Sequence, residues 1–285
     1  MALLDRAVQT LKKHGHEVTL APTTGPSTAG AIARAHIDGG AEIIVAAGGD
    51  GTINEVVEGM VGSHVPLAIL PGGTANVLAM EMKLGGNLER AAERIAECVP
   101  QRIPVGRLLN DNGKTARYFM LMAGIGLDAH IVYNVNPAIK ARTGKLAYWV
   151  AGWSLLGKRL AHFQVEVNGL RQECSFALIT KVRNYGGDFE IARNVSIVDD
   201  EFEVVLLEGR SSMRYVKYFA GMALNRLTAM SGATVLRSNK VVMSGPDDAR
   251  VYVQIDGEFA GRLPAEVSIV PDALTLMIPP PYIQR

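Results

Sequence analysis

From residue 1 to about residue 100, short apolar runs alternate with segments whose apolar positions recur at helical spacing. Ile53, Val56 and Met60, for example, fall on one face of a helix. Strands that alternate with such helices are typical of parallel βαβ units. The predicted elements are a helix through Leu11, a strand Glu17–Leu20, a helix Ala29–His36, a strand Glu42–Ala47, a helix Thr52–Met60, a strand Pro66–Leu70, a helix Ala75–Met82 and a helix Leu88–Glu97.

After Pro100 the pattern changes to short β-rich segments. Asn112-Gly113 and Asn168-Gly169 are typical of tight β-hairpin turns, and helical stretches are predicted at about 137–160 and 212–230. The sequence therefore predicts two domains: a parallel-sheet α/β domain over 1–104 and a mostly antiparallel, β-sandwich-like domain over 105–270.

Composition excludes several classes of function. The chain has 285 residues and a net charge of +1, which lacks the excess of Lys and Arg expected of a general nucleic-acid binder. Its two cysteines, Cys98 and Cys174, are far apart and predict neither a disulfide framework nor a zinc site, which favours a reducing cytoplasm. No apolar stretch reaches the roughly 18 residues of a membrane-spanning helix, so any contact with a membrane is expected to be peripheral.

The most informative segment is a glycine-rich loop between an apolar strand and a helix. It consists of Gly48, Gly49, Asp50, Gly51 and Thr52. Glycines let backbone N–H groups approach a phosphate, and the following helix adds N–H donors and the positive end of its dipole. Asp50 supplies a carboxylate where the magnesium ion of a nucleotide could bind. The alternative is a tight turn with no ligand.

A second loop, Pro71-Gly72-Gly73-Thr74-Ala75-Asn76, follows the next predicted strand and also precedes a helix. Adjacent strand-to-helix turns of a parallel sheet face the same crevice, so Gly72 and Thr74 are expected beside the same phosphates. Thr74 could also act as a helix N-cap, a role that is compatible with a phosphate contact. Neither loop is a P-loop, because no Lys follows the glycines in the required pattern.

With these two loops, the chain resembles the diacylglycerol kinase catalytic-domain family, which includes soluble bacterial lipid kinases. The first loop alone is shared with NAD kinases, whereas its combination with the second loop and with a late Ile-Asp-Gly-Glu segment is more specific. The other stretches that carry the resemblance are Phe119–Ala129, Gly144–Tyr148, Tyr185–Gly187 and Val253–Glu258.

The resemblance implies a two-domain kinase that uses ATP and Mg²⁺. The C-terminal residues 271–285 are expected to pack back on the first domain. By matching position, Thr23 would contact the nucleotide and Thr74 would complete its phosphate site. The residues expected to hold the phosphates are Gly48, Gly49, Asp50, Gly51, Thr52, Ile53, Asn54 and Gly72.

The acidic segment Asp256-Gly257-Glu258 matches the catalytic acids of the family. A kinase of this kind needs a base that takes the proton of the attacking hydroxyl. We expect Glu258 to be that base, with Asp256 as the nearest alternative and Asp50 as the third catalytic acid. Without the resemblance, the segment would be interpreted as a surface hairpin turn.

The segment 194–203 resembles the structural magnesium loop of the family. The resemblance assigns the ion to the Asp200 side chain and to the carbonyl oxygens of Ile197 and Phe202. The family usually has Gly where this chain has Glu201, so we expect strain in the turn. The alternative is a solvated acidic turn.

The resemblance predicts transfer of phosphate to a lipid hydroxyl at a membrane surface, with diacylglycerol as the first candidate acceptor. An NAD kinase-like small-molecule kinase and a catalytically weak nucleotide- or lipid-binding protein are the alternatives. The latter is motivated by the first strand of the family and its Asn-Pro-x-Ser-Gly turn, which the sequence given does not contain. The basic, aromatic stretch Lys140–Arg159 is either a bilayer contact or a helix that covers the sheet of the second domain. The sequence leaves open whether the protein forms a homodimer.

Overall fold

The computed structural model describes residues 2–110, 113–127, 129, 160–185, 189–209, 212–224, 226–246 and 251–283. They form two compact units: unit 1 comprises Met1–Val105 and Pro271–Arg285, and unit 2 comprises Gly106–Val270. The elements are α1 (Ala2–Lys13), α2 (Ala29–Asp38), β1 (Ile44–Gly48), α3 (Asp50–Met60), β2 (Leu67–Pro71), α4 (Val77–Glu81), α5 (Leu88–Ile95), β3 (Val99–Asn110), β4 (Thr115–Phe119), β5 (Met122–Gly126), β6 (Phe163–Val167), β7 (Leu170–Cys174), β8 (Phe176–Thr180), β9 (Asn184–Tyr185), β10 (Phe189–Glu190), β11 (Phe202–Leu207), α6 (Ser212–Ala223), a 3₁₀ turn (Leu227–Ala229), β12 (Ala233–Ser238), β13 (Lys240–Ser244), β14 (Tyr252–Ile255), β15 (Glu258–Arg262), β16 (Ala265–Ile278) and α7 (Pro280–Ile283).

Unit 1 is built on parallel strands. β1 lies parallel to β2, with Ile44 opposite Leu67 and Gly48 opposite Pro71, and Leu276 of β16 continues the parallel pairing on the other side of β2. β2 is buried along its whole length, as expected of a strand covered by helices on a parallel sheet. The pairing also brings the ends of β1 and β2, and therefore the two glycine loops, side by side.

Small side chains allow α1 and α5 to pack closely on this sheet. Their shared apolar cluster contains Ala7, Leu11, Ala68, Leu70, Ala91, Ala92 and Ile95, with Val18 packed against it. The predicted strand Glu17–Leu20 is wrong: the segment contributes Val18 to the cluster but has no strand hydrogen bonding. A strand is defined by a paired neighbour, and an apolar alternation alone does not supply one.

Unit 2 is a β-sandwich. One sheet is antiparallel in the order β12-β11-β8-β5-β14-β15, and a second set of strands pairs as β16-β13-β6-β7. The core between them includes Phe163 and Met243 from the second set and Ile125 and Val204 from the first. The mixed α/β fold with a parallel-containing sheet and a separate antiparallel sheet confirms the predicted fold class.

The hairpin predictions are confirmed. β6 and β7 are joined by Asn168 and Gly169 with φ of 49° and 78°, the positive values that a tight two-residue hairpin requires. β3 and β4 pair antiparallel from Asn110 opposite Thr115, as a hairpin requires, and Gly113 between them has a positive φ, whereas Asn112 of the predicted turn lies outside the described residues. The predicted helix within 212–230 is α6, whereas the stretch predicted at about 137–160 falls, up to residue 159, outside the described residues.

Candidate functional site

The first glycine loop joins β1 to α3 without an intervening segment. Gly48 ends β1, Gly49 is the N-cap of α3 in an extended conformation, and Asp50 begins the helix. A Cβ at Gly48 would lie 2.8 Å from the Cβ of Thr52, so this position has no room for a side chain. Because the first N–H groups of a helix have no intrahelical acceptor, the turn presents backbone donors at the positive end of α3.

The last two residues of the predicted phosphate segment are placed differently from the first five. Ile53 is buried in the core, and its N–H donates to the Gly49 carbonyl at 3.0 Å as the first bond of the helix. Asn54 is also buried. The candidate phosphate contacts of this loop therefore concentrate in its first five residues, from Gly48 to Thr52.

The second glycine loop packs directly on the first. The Gly72 N–H donates to the Gly48 carbonyl at 2.9 Å, and a Cβ at Gly73 would lie 2.5 Å from the Gly49 Cα. The loop is closed on itself by Asn76, whose Oδ1 accepts from the Gly73 N–H at 2.7 Å. A Cβ at Gly49 would lie 3.3 Å from the Gly73 Cα, so glycines on both sides allow the backbones of the two loops to approach closely.

Asp50 ties the two loops together through its side chain. Its Oδ1 accepts from the Val77 N–H at 2.8 Å, where α4 begins. Burial raises the pKa of Asp50 from its ordinary value, and the surrounding backbone N–H groups act in the opposite direction. The N-cap interpretation of Thr74 is wrong, because α4 begins after Asn76 and its first amide is held by Asp50. The Thr74 side chain is instead exposed.

Thr23 lies exposed in the segment that precedes α2. The start of α2 is held by Glu55 of α3, whose two carboxylate oxygens accept from the N–H groups of Ser27 and Ala29 at 2.8 and 3.0 Å. The two helices also approach closely, since a Cβ at Gly59 would lie 2.2 Å from the Gly30 carbonyl oxygen. α3 therefore fixes both the first glycine loop and the end of the segment that carries Thr23.

In unit 2, Asp256 and Glu258 lie in the β14–β15 hairpin turn, and their side chains differ sharply. The Asp256 carboxylate accepts from three backbone N–H groups, those of Met120, Leu121 and Met122, at 2.9–3.0 Å. The Glu258 side chain is 42% exposed and lies 3.8 Å from the Arg117 guanidinium. The structure thus joins Asp256 to the start of β5 and presents Glu258 at the surface of the turn.

The candidate magnesium loop contains cationic side chains of the protein itself. The Lys181 Nζ donates to the Asp199 carbonyl oxygen at 2.8 Å, and Arg237 contacts the carboxylates of Asp199 and Glu201 at 2.9 and 3.0 Å. Ile197 and Phe202 have fully buried side chains and could offer only their carbonyl oxygens, and Asp200 is exposed. The Asp199 carbonyl that accepts from Lys181 lies between the predicted ligands Ile197 and Asp200 in the chain and is not itself one of them.

The strain expected at Glu201 is wrong. Positive φ values among the described non-glycine residues occur at Ser27, Asn76, Lys83, Asn168, Asp256 and Asp272, so Glu201 has an ordinary backbone conformation. Its side chain instead adds a carboxylate for Arg237.

Several stretches that carry the family resemblance cannot be placed. Asp128, residues 144–148 and residues 186–187 lie outside the described residues, as does the basic stretch Lys140–Arg159.

The comparisons with known proteins match both units. Residues 1–108 match the diacylglycerol kinase catalytic domain, and residues 122–278 match the YegS C-terminal NAD kinase beta sandwich-like domain. The chain belongs to the diacylglycerol kinase catalytic-domain family. Family membership supports a kinase activity for this chain.

Individual relatives cover nearly the whole chain. The chain is 28% identical to a diacylglycerol kinase of Bacillus subtilis over 92% of its own length and 86% of the relative. It is 26% identical to a diacylglycerol kinase of Mycobacterium tuberculosis, over 96% and 88% of the two chains. A crystal structure of a diacylglycerol kinase from Bacillus anthracis superposes with a TM-score of 0.78 at 19% identity, covering 98% and 92% of the two chains, which shows a shared fold.

Two residues of this diacylglycerol kinase family member were not predicted as site residues. Glu55 was predicted only as part of a helix. Thr28, the N-cap of α2, makes no side-chain capping bond, so the first amides of α2 need an acceptor from elsewhere in the chain. Lys181 lies in the run Ile179-Thr180-Lys181-Val182, where a single lysine within a buried strand end indicates a buried partner. Within the described residues, no helix is long and apolar enough to cross a bilayer.

Proposed function

We propose that this chain is an ATP-dependent lipid kinase that transfers the γ-phosphoryl group to a lipid hydroxyl, with diacylglycerol as the first acceptor. Two relatives that cover most of the chain are diacylglycerol kinases, at 28% and 26% identity. The proposal assigns the nucleotide to the glycine loops of unit 1 and proton transfer to the acidic hairpin of unit 2.

The observation that carries the proposal is the junction of the two glycine loops. A side chain at Gly73 would collide with the Gly49 backbone, and one at Gly48 would collide with Thr52. The chain thus keeps backbone amides at the start of α3, and phosphate oxygens are the ligands that such a surface suits.

Asp50, Thr74 and Thr23 are the side chains that would hold the nucleotide with its magnesium ion. ATP would supply the phosphoryl group, and Mg²⁺ would offset the charge of its phosphate oxygens. Burial raises the pKa of Asp50 and makes its charged form costly. A nearby cation would relieve that cost, so the carboxylate suits a metal-bound phosphate better than it suits an empty turn.

Glu258 would accept the proton of the lipid hydroxyl while that oxygen bonds to the γ-phosphorus and the bond to the ADP oxygen breaks. Its carboxylate is partly exposed and is paired with Arg117 only at 3.8 Å, so it has capacity for a further partner. Asp256 is the weaker candidate for the base, because its carboxylate already accepts from three amides. We assign Asp256 the role of positioning the turn.

A lipid acceptor requires this kinase to work at a membrane surface. Within the described residues no helix could span a bilayer, so we propose peripheral association by a cytoplasmic protein. The stretch Lys140–Arg159, which combines cationic and aromatic side chains, stays the predicted bilayer contact.

The test is transfer of labelled γ-phosphate from Mg-ATP to a panel of lipids in mixed micelles, with soluble NAD as a comparison. We expect a labelled lipid product, with diacylglycerol the best acceptor, and loss of that product in Glu258→Gln. A labelled NAD product without any labelled lipid would replace the proposal with an NAD kinase-like activity. Binding of ATP without transfer to any acceptor would replace it with a nucleotide-binding role.

A further inference from the structure

Lys181 is a fully buried lysine that follows β8 in unit 2. Lysine is almost never fully buried without a partner, because removing its charge from water is costly. Its Nζ donates to the Asp199 carbonyl oxygen at 2.8 Å, and the charges of Asp199 and Asp200 both act on it. The side chain therefore reaches the inner face of the acidic loop 196–202 from within the sandwich.

Arg237 holds the same loop from its outer side. Its guanidinium contacts the Asp199 carboxylate at 2.9 Å and the Glu201 carboxylate at 3.0 Å, and it donates to the Asn194 carbonyl at 2.8 Å. Glu203, also acidic and buried, accepts from the N–H groups of Arg193 and Asn194. The carboxylates of Asp199, Glu201 and Glu203 are thus all neutralised or hydrogen-bonded by protein groups.

We infer that this loop is closed by the protein's own cations, with the Lys181 amino group inside and Arg237 outside, and that it folds without a structural divalent metal ion. Lysine supplies three N–H donors, and the Asp199 carbonyl that accepts from Lys181 lies between the predicted magnesium ligands Ile197 and Asp200 in the chain. Glu201, where the family usually has Gly, belongs to the same arrangement, because its carboxylate is an ion-pair partner of Arg237.

The loop is connected to the acidic hairpin through one residue. The Lys181 N–H donates to the Leu121 carbonyl at 2.8 Å, and the Leu121 N–H donates to the Asp256 carboxylate at 3.0 Å. The backbone of the lysine that closes the loop therefore also holds Leu121, which precedes β5 and donates to Asp256.

The protonation state of Lys181 sets the pH at which the metal titrations are made. Burial lowers the pKa of Lys181 to about 7, while Asp199 and Asp200 act to raise it. At slightly acidic pH the amino group carries its proton, so metal titrations are made there.

The first experiment measures the melting temperature of the nucleotide-free full chain in EDTA and in millimolar Mg²⁺ or Mn²⁺. Asp200→Asn, which removes the side chain that the magnesium assignment requires, is measured beside it. We expect any metal-dependent change to be the same in both proteins. A metal-dependent rise in the wild type that Asp200→Asn abolishes would overturn the inference.

The second experiment removes the lysine. In Lys181→Met, the Asp199 carbonyl and the Asp200 carboxylate lose their internal cation, so we expect the melting temperature to become metal-dependent, with a rise of about 2–4 °C or more. The double variant Lys181→Met/Asp200→Asn should lose this response, and Lys240→Met, at an exposed lysine of β13, should never show it. Absence of a metal response in folded Lys181→Met would contradict the inference. If that variant does not fold, the wild-type titration decides alone. Both readouts are unfolding transitions, so they hold whether or not the kinase proposal does.

Discussion

Asp50 and Asp256 are each the aspartate of a glycine-containing turn, one in each unit, and backbone amides surround both carboxylates. Asp256 accepts from three backbone amides through two oxygens. Asp50 accepts from the Val77 amide at 2.8 Å, and burial raises its pKa in spite of nearby amides. Asp256 has a carboxylate whose charge the fold stabilises, whereas the fold makes the charge on Asp50 costly.

This difference supports our proposal that Asp50 binds the ligand and that Asp256 holds the turn in place. A carboxylate kept in an environment that opposes its charge is a candidate for ligand binding, because a cation or substrate can supply what the fold does not. A carboxylate saturated by backbone donors is better suited to holding a strand in place. On different grounds, because it is partly exposed and loosely paired, Glu258 is the acid of the hairpin that we propose for proton transfer.

The largest expected effect is on turnover in Glu258→Gln. Loss of a general base lowers turnover by about 10²–10⁴-fold, while the amide keeps the size of the side chain, so ATP binding and melting temperature should change little. Steady-state transfer of labelled phosphate and equilibrium binding of ATP measure the two quantities.

Glu166→Gln is the matched control for this variant. Glu166 also pairs with an arginine, Arg171, at 2.9 Å, but lies on β6 outside the candidate site. Its turnover should equal that of the wild type. Wild-type turnover in Glu258→Gln would remove Glu258 from the mechanism and would return Asp256 to consideration.

Asp50→Asn should lower turnover by about 10²–10³-fold, the usual loss when one charge-stabilising group is removed. The asparagine Oδ1 can still accept from the Val77 N–H, so the junction of the two loops should persist. Transfer assays with varied Mg²⁺ and ATP measure the loss, with Asp38→Asn on the exposed end of α2 as a control. Full activity in Asp50→Asn would show that its charge is not used.

Asp256→Asn should instead lower stability, by about 2–3 kcal/mol. The new NH₂ group faces backbone donors that it cannot satisfy, and those of Met120, Leu121 and Met122 lose charge-assisted bonds. Urea unfolding measures the loss. Asp272→Asn is the control, because Asp272 has φ of 50° against 48° for Asp256 but is exposed. Equal stability of the two variants would mean that the three amides do not depend on the carboxylate.

The same substitution at Asp50 should change how stability depends on pH. Because its folded-state pKa is raised, the folded chain keeps its proton to higher pH than the unfolded chain, and stability falls as pH rises through that range. Asp50→Asn removes this pH-dependent contribution to the free energy of unfolding. The stability difference between variant and wild type should grow from acidic pH up to the folded-state pKa and stay constant above it, as urea unfolding at several pH values would measure. A difference that does not change with pH would show that burial does not oppose the charge of Asp50.

Local patterns predicted the elements that carry the site, because they depend on nearby residues. The apolar spacing in α3 and the Asn168-Gly169 turn each fix a structure within a few positions of the chain. The strand at Glu17–Leu20 and the cap at Thr74 were wrong because both depend on distant partners. The first needs a neighbouring strand, and the second is decided by the Asp50 side chain, 27 positions before Val77.

The roles within the site were less predictable for the same reason. Asp256 and Glu258 are two residues apart, and nothing in their local sequence distinguishes them. Their difference comes from the Met120 amide, 136 positions away from Asp256. Lys181 and Asp199 likewise meet only when β8 and the acidic loop are folded together.

The smallest expected effect is at Glu55, which extends the comparison to a third acid. Glu55→Gln leaves one acceptor oxygen where two now hold the Ser27 and Ala29 amides, and it removes a negative charge from the N-terminus of α2. We expect a loss of stability of about 1 kcal/mol, measured by urea unfolding, and a rise of a few-fold in the KM for ATP with kcat nearly unchanged. Glu93→Gln, at an exposed glutamate of α5, should change neither. A KM effect without a stability effect would mean that Glu55 contacts the nucleotide. A stability effect without a KM effect would mean that the segment carrying Thr23 does not bind it.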